Sequence, residues 1–426
     1  MERIEEKVDV LVVGGGTAGT IAAIQSGRTG VNTALVEAGS QLGGVTTTGG
    51  VSFPGLFHAW GKQIIAGIGW DLVSKAVALD SGELPDFRVV PQRHWMHQIR
   101  INGPLYAAIA EEAATQANVA LHFYESPNQV AATPSGWQVE TMGKNVRRTI
   151  QTKQIIDCTG GAEVVNLIGY PRQREAETQP GTLIFKLGGY DVDTLDESLI
   201  QQHFLQAYDD GRLQPGDVRN RNVQFISYLR SGGENAQHVH DADASTAATH
   251  SHTNIAGRQS LLRIIRFVRS LPGCENARIL SAQAETAVRE TYRIVGDIQV
   301  THQDYTSGRH FDDAVSYSFY PIDLHDKNGI KPKPLSQGVV ATVPLGALIP
   351  KNSKNLLVAG RSIGSDRLAN SALRVQASSM GMGQAAGAAA GLSVHLETTP
   401  RQVPLDKLHG VLKNEGAIVP QKSSIG

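Results

Sequence analysis

Two arginines and an acid lie close together in the segment Arg289-Glu290-Thr291-Tyr292-Arg293. A guanidinium group can bind a carboxylate with two parallel hydrogen bonds, so Arg289 and Arg293 could hold an acidic substrate. The same side chains could instead form ion pairs that join two parts of the fold, because such networks also occur for structural reasons. Both interpretations stay open on the sequence alone.

A histidine follows the short segment 320–324 and is the second candidate for chemistry. Because imidazole titrates near neutral pH, His325 could act as a general acid or base, or bind a substrate. The alternative is a structural histidine, since the ability to titrate is not itself evidence of chemistry. The predicted catalytic residues are therefore His325, Arg293 and Arg289.

Four further histidines and two aspartates occur in one stretch, which raises the question of a metal site. Their spacing matches no closed zinc pattern, and the surrounding Ser, Thr, Ala and Asn residues are typical of an extended loop. We therefore expect no metal ion there. The residues concerned are His238, His240, Asp241, Asp243, His250 and His252.

The elements that would position this chemistry begin with a strand, a glycine turn and a helix. A β-branched run over 8–13 predicts a buried strand, a G-x-G-x-x-G motif follows, a helix is predicted over 20–27, and a strand over 32–37 ends in an acid. Such a unit binds a dinucleotide at the helix N-terminus, and the acid accepts hydrogen bonds from a ribose. The predicted contacts are Gly14, Gly16, Thr17, Ala18, Gly19, Glu37 and Ala38.

A second glycine cluster follows the acid and contains a run of threonines. Its backbone N–H groups and hydroxyls would suit an extended ligand, although a flexible surface loop is the alternative. The residues expected to contact the ligand here are Leu42, Gly43, Gly44, Val45, Thr46 and Thr47.

The rest of the chain alternates strands and helices around the same theme. A helix is predicted over 103–117 and a strand over 119–123, and three short segments between 129 and 150 predict a β-meander. Two further buried strands end at glycine, one before Gly160 and one before Gly360. One long Ala/Gly-rich helix is predicted over 371–391.

These motifs together resemble the FAD-dependent oxidoreductases of the glutathione-reductase superfamily. The resemblance rests on VVGGGTAG, VEAGSQLGGVTTTGG, IIDCTGGAEV, NLLVAGRSIGSDRLANSAL and GQAAGAAAG, and it covers about residues 8–392. More narrowly, with RETYRIVGD, the chain resembles the FAD dependent oxidoreductase family, which is distantly similar to fumarate reductase and succinate dehydrogenase flavoproteins. The resemblance implies FAD, a small-molecule substrate, hydride exchange with flavin N5, and an electron donor or acceptor that stays unknown.

The resemblance also implies positions for the cofactor along the chain. The first glycine turn would lie at the pyrophosphate, the second cluster along the ribityl chain, and Gly360 would approach the dinucleotide. The segment 370–373 would lie under the pyrimidine edge of the flavin, where a helix N-terminus stabilises negative charge. Beyond the residues already named, the expected contacts are Val130, Cys158, Thr159, Gly160, Gly360, Arg361, Asn370, Ser371, Ala372 and Leu373.

The predicted fold is α/β, with a Rossmann-like FAD-binding domain that contains a parallel sheet and a β-meander. We assign residues 1–189 and 335–395 to this domain, 190–334 to an inserted α+β substrate domain, and 396–426 to a C-terminal tail. The region 52–60 could help to form the wall of the flavin pocket, and covalent attachment of the flavin to His58, His94 or His97 stays open.

Composition narrows the function classes. There are 39 basic and 40 acidic residues, which gives a net charge of −1 and disfavours an RNA-modifying flavoprotein, the main alternative. A non-catalytic flavin-binding protein is disfavoured by the intact glycine set and Glu37. The uncharged stretch 375–396 is rich in small residues and predicts a helix buried in a protein core, so we expect no membrane and a cytoplasmic protein.

Overall fold

The computed structural model describes residues 1–89, 91, 93–326, 329–330 and 332–421. The strands are β1 (Glu2–Val13), β2 (Thr33–Glu37), β3 (His58–Ala59), β4 (Lys62–Gln63), β5 (Val119–Phe123), β6 (Glu125–Thr133), β7 (Gly136–Gly143), β8 (Val146–Asp157), β9 (Arg172–Gln173), β10 (Phe185–Gly188), β11 (Gly233–Glu234), β12 (Arg278–Ala282), β13 (Arg293–Ile294), β14 (Ala314–Ser318), β15 (His325–Asp326), β16 (Gly329–Ile330), β17 (Ala341–Pro344) and β18 (Leu356–Val358). The helices are α1 (Thr17–Arg28), α2 (Ile68–Leu79), α3 (Gly103–Gln116), α4 (Glu163–Ile168), α5 (Glu197–Asp209), α6 (Phe225–Ser231), α7 (Ala247–Arg269), α8 (His302–Ser307), α9 (Arg367–Leu373), α10 (Gln376–His395) and α11 (Leu405–Asn414).

A seven-stranded sheet forms the centre of the fold, in the order β5-β2-β1-β8-β7-β6, with β18 also paired to β8. The strands β5, β2, β1, β8 and β18 pair in parallel, whereas β6, β7 and β8 pair antiparallel. In β1, Val10 and Val12 face one hydrophobic core and Leu11 and Val13 face another, as expected for a strand covered on both sides. The predicted α/β class with a β-meander is confirmed.

The strand β8 serves both parts of this sheet. Its first half pairs with β7 and its last three residues pair with β18, on the same edge. The sequence had suggested two separate strands, one closing the meander and one ending at Gly160, and this detail was wrong. A single strand of 12 residues spans both because nothing between Ile150 and Gln154 breaks an extended backbone.

The helices α1 and α10 pack closely on one face of the sheet. Three glycines spaced four residues apart form the contact face of α10, namely Gly383, Gly387 and Gly391. A methyl group on Gly383 or Gly387 would overlap a backbone carbonyl oxygen of α1, that of Ala18 or Ala22. The absence of side chains at these glycines therefore allows α1 and α10 to pack closely.

The predicted single helix over 371–391 is two helices in the structure, α9 and α10. Arg374 ends α9, and Val375 is extended (φ −67°, ψ 155°) before α10 begins at Gln376. The start of α10 is held by its first side chain, because Gln376 Nε2 donates to the Val51 carbonyl oxygen at 2.6 Å. The break depends on this tertiary contact, and the local sequence contains no glycine or proline to signal it.

The middle of the chain has a hydrophobic core of its own. Buried apolar residues from Phe185 to Ala277 cluster around the sheet β11-β10-β12 and the helices α5, α6 and α7. Residues from Val300 to Ile349 instead join the core that contains α1 and α10. We therefore propose that the insertion covers about 185–282, which is shorter than the predicted 190–334.

Two local expectations also need correction. His250 and His252 lie on α7, which begins after Thr246, and not in an extended loop. Thr246 and Thr249 form a reciprocal capping box that starts this helix. The predicted C-terminal tail contains α11, whose Leu408 and Leu412 are buried in the main core. Within the described residues no helix is long and apolar enough to cross a membrane.

Candidate active site

The first glycine turn has the geometry expected of a phosphate-binding turn. Gly14 has φ +96°, and a Cβ atom there would lie 2.5 Å from the Cys158 carbonyl oxygen. A Cβ atom on Gly16, in contrast, would have no neighbour within 4 Å. Gly16 precedes α1 and has no side chain to cap it, so the N–H groups of the first helical turn are open to an anion.

The acid at the end of β2 is bound to this turn. Glu37 accepts hydrogen bonds from the backbone N–H groups of Gly15 and Gly39, each at 2.6 Å. Burial raises the pKa of Glu37, although these two hydrogen bonds oppose the effect. The carboxylate therefore lies beside the phosphate-binding turn. It is placed to accept hydrogen bonds from the ribose of a dinucleotide whose phosphates bind that turn.

The second glycine cluster, residues 42–47, is called the threonine loop below and is anchored on both sides. Gly43 N–H donates to the Gly15 carbonyl oxygen at 2.8 Å, and the Thr17 and Thr46 hydroxyls are 3.0 Å apart. Thr46 Oγ1 donates to Gln376 Oε1 at 2.9 Å. Because the loop is bound to α1 and to the start of α10, it is not a free surface loop, and its contacts with a ligand stay a prediction.

The other predicted cofactor residues fall into two groups. Cys158, Thr159 and Gly160 lie at the carboxyl end of β8, beside the first glycine turn, and Gly360 faces Ala18. The side chains of Val130 and of residues 370–373 are buried in the protein. No side chain of the described residues caps the start of α10, so the N–H groups of its first turn, shortly after the segment 370–373, are open.

A cavity of about 140 Å³ lies between three parts of the chain. The threonine loop and the segment after it form one side, the insertion with the segment 287–289 forms the second, and the region from Tyr320 to the start of α10 forms the third. Its polar lining consists of Gln98, Thr182, Asn235, Arg289, Tyr320, Asp323, Arg361, Arg374 and Gln376.

The structure separates the two arginines of the RETYR segment. Arg289 faces the cavity and donates to the Pro180 carbonyl oxygen and to Thr182 Oγ1. Burial and the positive charge of Arg374 lower the pKa of Arg289 to about 9. Arg293 is 2% exposed and pairs with Glu175 at 2.8 Å, away from the cavity. The interpretation as an ion pair applies to Arg293, and substrate binding by Arg289 stays a prediction.

The other predicted catalytic residue, His325, lies behind the cavity wall. His325 Nε2 is 3.1 Å from Asp323 Oδ2, and Asp323 lines the cavity. On its other side, His325 Nδ1 is 3.4 Å from His238 Nε2. Any contact of His325 with a ligand in the cavity would therefore pass through Asp323.

Asp323, His325 and His238 form a row that leads away from the cavity. Burial and the nearby guanidinium groups of Arg289 and Arg374 set the charges of these three side chains. Burial would raise the pKa of Asp323, but the hydrogen bond from His325 and the charges of Arg374 and Arg289 outweigh it and hold that pKa at about 2. Burial and the charge of Arg289 lower the pKa of His325 to about 4 and of His238 to about 3. At neutral pH the row is one carboxylate followed by two neutral imidazoles.

The remaining histidines are placed as follows. His58 stacks on Phe87 with ring centroids 3.8 Å apart, and His97 contacts the edge of the same ring. His94 lies 5.0 Å from the ring of Tyr320, which lines the cavity. In the part of the chain that the structure describes, no group of three or more His, Cys, Asp or Glu side chains could hold a metal ion.

Several residues of the cavity were not singled out from the sequence. Arg374 and Gln376 stand at the α9–α10 break, which only tertiary contacts reveal. Asp323 precedes His325 by two residues, and this spacing was the one available signal. Asn235 lies in the insertion and carries no motif.

The phosphate turn, the acid beside it and the anchored threonine loop define a dinucleotide-binding flavoprotein. The chain belongs to the family described as FAD dependent oxidoreductase, whose model matches residues 9–412. FAD is therefore its cofactor and oxidoreduction its class of reaction. No curated protein matches the chain.

Solved structures with a similar fold include two that align over nearly the whole chain. A geranylgeranyl bacteriochlorophyll reductase-like protein from Thermoplasma acidophilum is 12% identical, with 96% of this chain and 84% of that one covered and a TM-score of 0.45. A p-nitrophenol 4-monooxygenase from Pseudomonas putida is 13% identical, with 97% and 87% covered and a TM-score of 0.41.

Proposed function

We propose that this FAD-dependent oxidoreductase transfers a hydride between a small-molecule substrate and flavin N5. The observation that carries the proposal is the cavity, because its wall combines the threonine loop and the start of α10 with Asn235 of the insertion and the segment 287–289 that follows the insertion. A substrate there would lie between the predicted flavin position and the insertion. The electron donor or acceptor that completes the cycle stays unidentified.

The residues of the chain fit FAD along its length. The open N–H groups after Gly16 would bind the pyrophosphate, Glu37 the adenosine ribose, and the threonine loop the ribityl chain. Bound FAD would supply the two-electron chemistry of its isoalloxazine ring. We place the pyrimidine edge at the N-terminus of α10, where the helix dipole and the free N–H groups after Val375 would stabilise negative charge.

Asp323 is the group that we propose to move the substrate proton. It faces the cavity as a carboxylate, and the neutral His325 behind it donates a hydrogen bond from Nε2. His325 thus orients Asp323 and stabilises its charge, so we assign it a positioning role. Arg289 would bind substrate, and Arg293 would hold the fold through Glu175.

An absorbance spectrum of the purified protein tests the proposal, since bound flavin absorbs at about 380 and 450 nm. Gly16→Ala should weaken FAD binding at least tenfold, because the added methyl occupies space that is open only without the cofactor. Gly410→Ala is the matched control, since a methyl there also has no neighbour within 4 Å. Equal FAD affinity in both variants, or a protein that binds no FAD, would contradict the proposal.

The alternative functions predict other outcomes. An RNA-modifying flavoprotein would bind RNA with an affinity that falls steeply with salt. The net charge of −1 does not favour that result. A non-catalytic binding protein would hold FAD that no substrate reduces, so anaerobic bleaching by any small molecule excludes it.

A further inference from the structure

We propose that the substrate is a small 2-hydroxy carboxylate, with its carboxylate bound by Arg289 and Arg374 and its hydroxyl directed to Asp323. This inference rests on the proposed function, because it assumes that the cavity beside the predicted flavin position is the substrate site. It adds the chemical class of the substrate and the residues that recognise it.

The lining of the cavity carries an excess of positive charge. Three guanidinium groups line it, those of Arg289, Arg361 and Arg374, against the one carboxylate of Asp323 among the described lining residues. Arg289 and Arg361 donate to neutral oxygens in the hydrogen bonds that the structure shows, and Arg374 is 3.7 Å from Asp323. The hydrogen bonds of Arg289 and Arg361 thus leave these two buried guanidinium groups without a carboxylate partner in the described part of the chain, which is unfavourable. An anion bound in the cavity would offset this positive charge.

Two buried polar atoms of side chains that line the cavity lack hydrogen-bond partners within the described residues. Arg374 Nε and Asn235 Oδ1 are buried and have no hydrogen-bond partner among the residues that the structure describes. One is a donor and the other is an acceptor, and both side chains line the cavity. A ligand that satisfies Arg374 Nε must carry an acceptor, such as a carboxylate. The hydroxyl of the ligand is directed to the carboxylate of Asp323, so Asn235 Oδ1 would take a second donor or a water molecule.

Charge also distinguishes a hydroxyl donor from an ammonium group. A hydroxy acid is an anion and would offset the excess of guanidinium groups, whereas a zwitterionic amino acid brings no net charge. The lining therefore favours the hydroxy acid.

The size of the cavity, part of which bound flavin would take at the threonine loop and the start of α10, limits the substrate to a small molecule. Its volume of about 140 Å³ is close to that of an engineered protein cavity of ~150 Å³ that binds benzene, a molecule of six heavy atoms. Lactate also has six heavy atoms and glycolate has five, whereas malate with nine is an upper limit.

The reaction balances with the groups at hand. In the direction of oxidation, the C–H bond at the hydroxyl-bearing carbon and the O–H bond break, and a C=O bond forms. Bound FAD would accept the hydride and be reduced, and Asp323 would accept the hydroxyl proton. The product is the 2-oxo carboxylate, and the reverse direction reduces it.

Two measurements on the flavin-loaded protein test the class. Glycolate, both lactate enantiomers or malate should bleach the flavin anaerobically, or glyoxylate, pyruvate or oxaloacetate should reoxidise the photoreduced flavin. Glycine, alanine and aspartate are the matched amino acids and should do neither. If no hydroxy or oxo acid reacts in either direction, or if only the amino acids react, the proposal is wrong, although FAD binding and the proposed function would stand.

A binding measurement without turnover tests the residues. Oxalate, a dicarboxylate that cannot be oxidised by hydride loss, should shift the flavin absorbance bands on titration. Arg289→Met and Arg374→Met should each weaken oxalate binding at least tenfold while FAD content is kept. Arg230→Met is the control, because this exposed arginine pairs with Asp193 on the surface of the insertion. Unchanged oxalate affinity in the first two variants, or no spectral shift with the wild-type protein, would overturn the assignment.

Discussion

At the scale of single residues, the row Asp323–His325–His238 connects the cavity to the interior of the insertion. With Asp323 ionised, His325 Nε2 must donate to it, so His325 Nδ1 accepts from His238 Nε2. The tautomers of both imidazoles are thus fixed by one carboxylate. The same arrangement keeps the carboxylate charged in a buried place.

The role of Asp323 can be tested by an isosteric change. Asp323→Asn removes the proton acceptor and should slow flavin reduction by substrate roughly 10²- to 10⁴-fold, the range for loss of a general base. His325→Gln should slow it less, because His325 only positions Asp323. The measurement is anaerobic stopped-flow absorbance at 450 nm, with equal FAD content as the control. Equal rates for wild type and Asp323→Asn would contradict the assignment.

The lowered pKa of His238 predicts how the stability of the fold depends on pH. Its pKa in the folded protein is about 3, well below the ordinary value of 6.5, because burial and the charge of Arg289 oppose its protonation. The unfolded state therefore binds a proton that the folded state does not between pH 6.5 and about 3, and stability falls as pH falls through this window.

Replacing that residue should flatten the pH profile. In His238→Gln, the slope of unfolding free energy against pH between about 4 and 6 should decrease by about 1.4 kcal/mol per pH unit, which corresponds to one proton. Denaturant unfolding at several pH values measures the slope. His252→Gln, at an exposed position on α7, is the control and should leave the slope unchanged. Parallel profiles for wild type and His238→Gln would refute this explanation.

At the scale of elements, the contact between α1 and α10 brings the first and last parts of the cofactor site together. Gly387→Ala should destabilise the fold by about 1–3 kcal/mol, because the new methyl would overlap the Ala22 carbonyl oxygen and force the helices apart. Gly410→Ala, in the interior of α11 with free space around it, should be neutral or stabilising by about 0.5–1 kcal/mol. Thermal unfolding of both variants measures the difference, and equal melting temperatures would disprove the packing argument.

The sequence predicted the elements well wherever periodicity and glycine act locally. The β1–turn–α1–β2 unit and the helix α3 were expected, because strand propensity, glycine and the acid of Glu37 act within a few residues. The α9–α10 break and the continuity of β8 were not expected. They depend on Gln376 reaching Val51 and on β18 pairing with β8, which are contacts between distant parts of the chain.

The cavity, like the α9–α10 break, depends on contacts between distant parts of the chain and could not be predicted from the local sequence. Residues of the cofactor turn share one local motif, whereas the cavity takes its polar groups from the segment after β3 and β4, the insertion and the C-terminal region. Arg289 and Arg293 stand four residues apart in one motif, and only the fold shows that they face different surroundings. No spacing rule could bring Asn235 and Arg374 to one cavity.

At the scale of the whole molecule, the insertion has a core separate from the one that surrounds the cofactor turn. Phe204 is fully buried there and stacks on Phe225 with centroids 4.5 Å apart. Phe204→Ala should destabilise the insertion by about 3–5 kcal/mol. Hydrogen exchange should then rise across 185–277 while the flavin remains bound, and loss of FAD in parallel with this rise would contradict two separable cores.

The pairing of β18 with β8 has a consequence for biosynthesis. About 200 residues of chain separate Ile155 from its partner Leu356. At a translation rate of about 5–20 residues per second, the ribosome needs at least ten seconds to make that stretch. The nascent phosphate turn therefore exists well before the strand and the helix α10 that complete its surroundings, and the cofactor site is finished only after both have emerged from the ribosome.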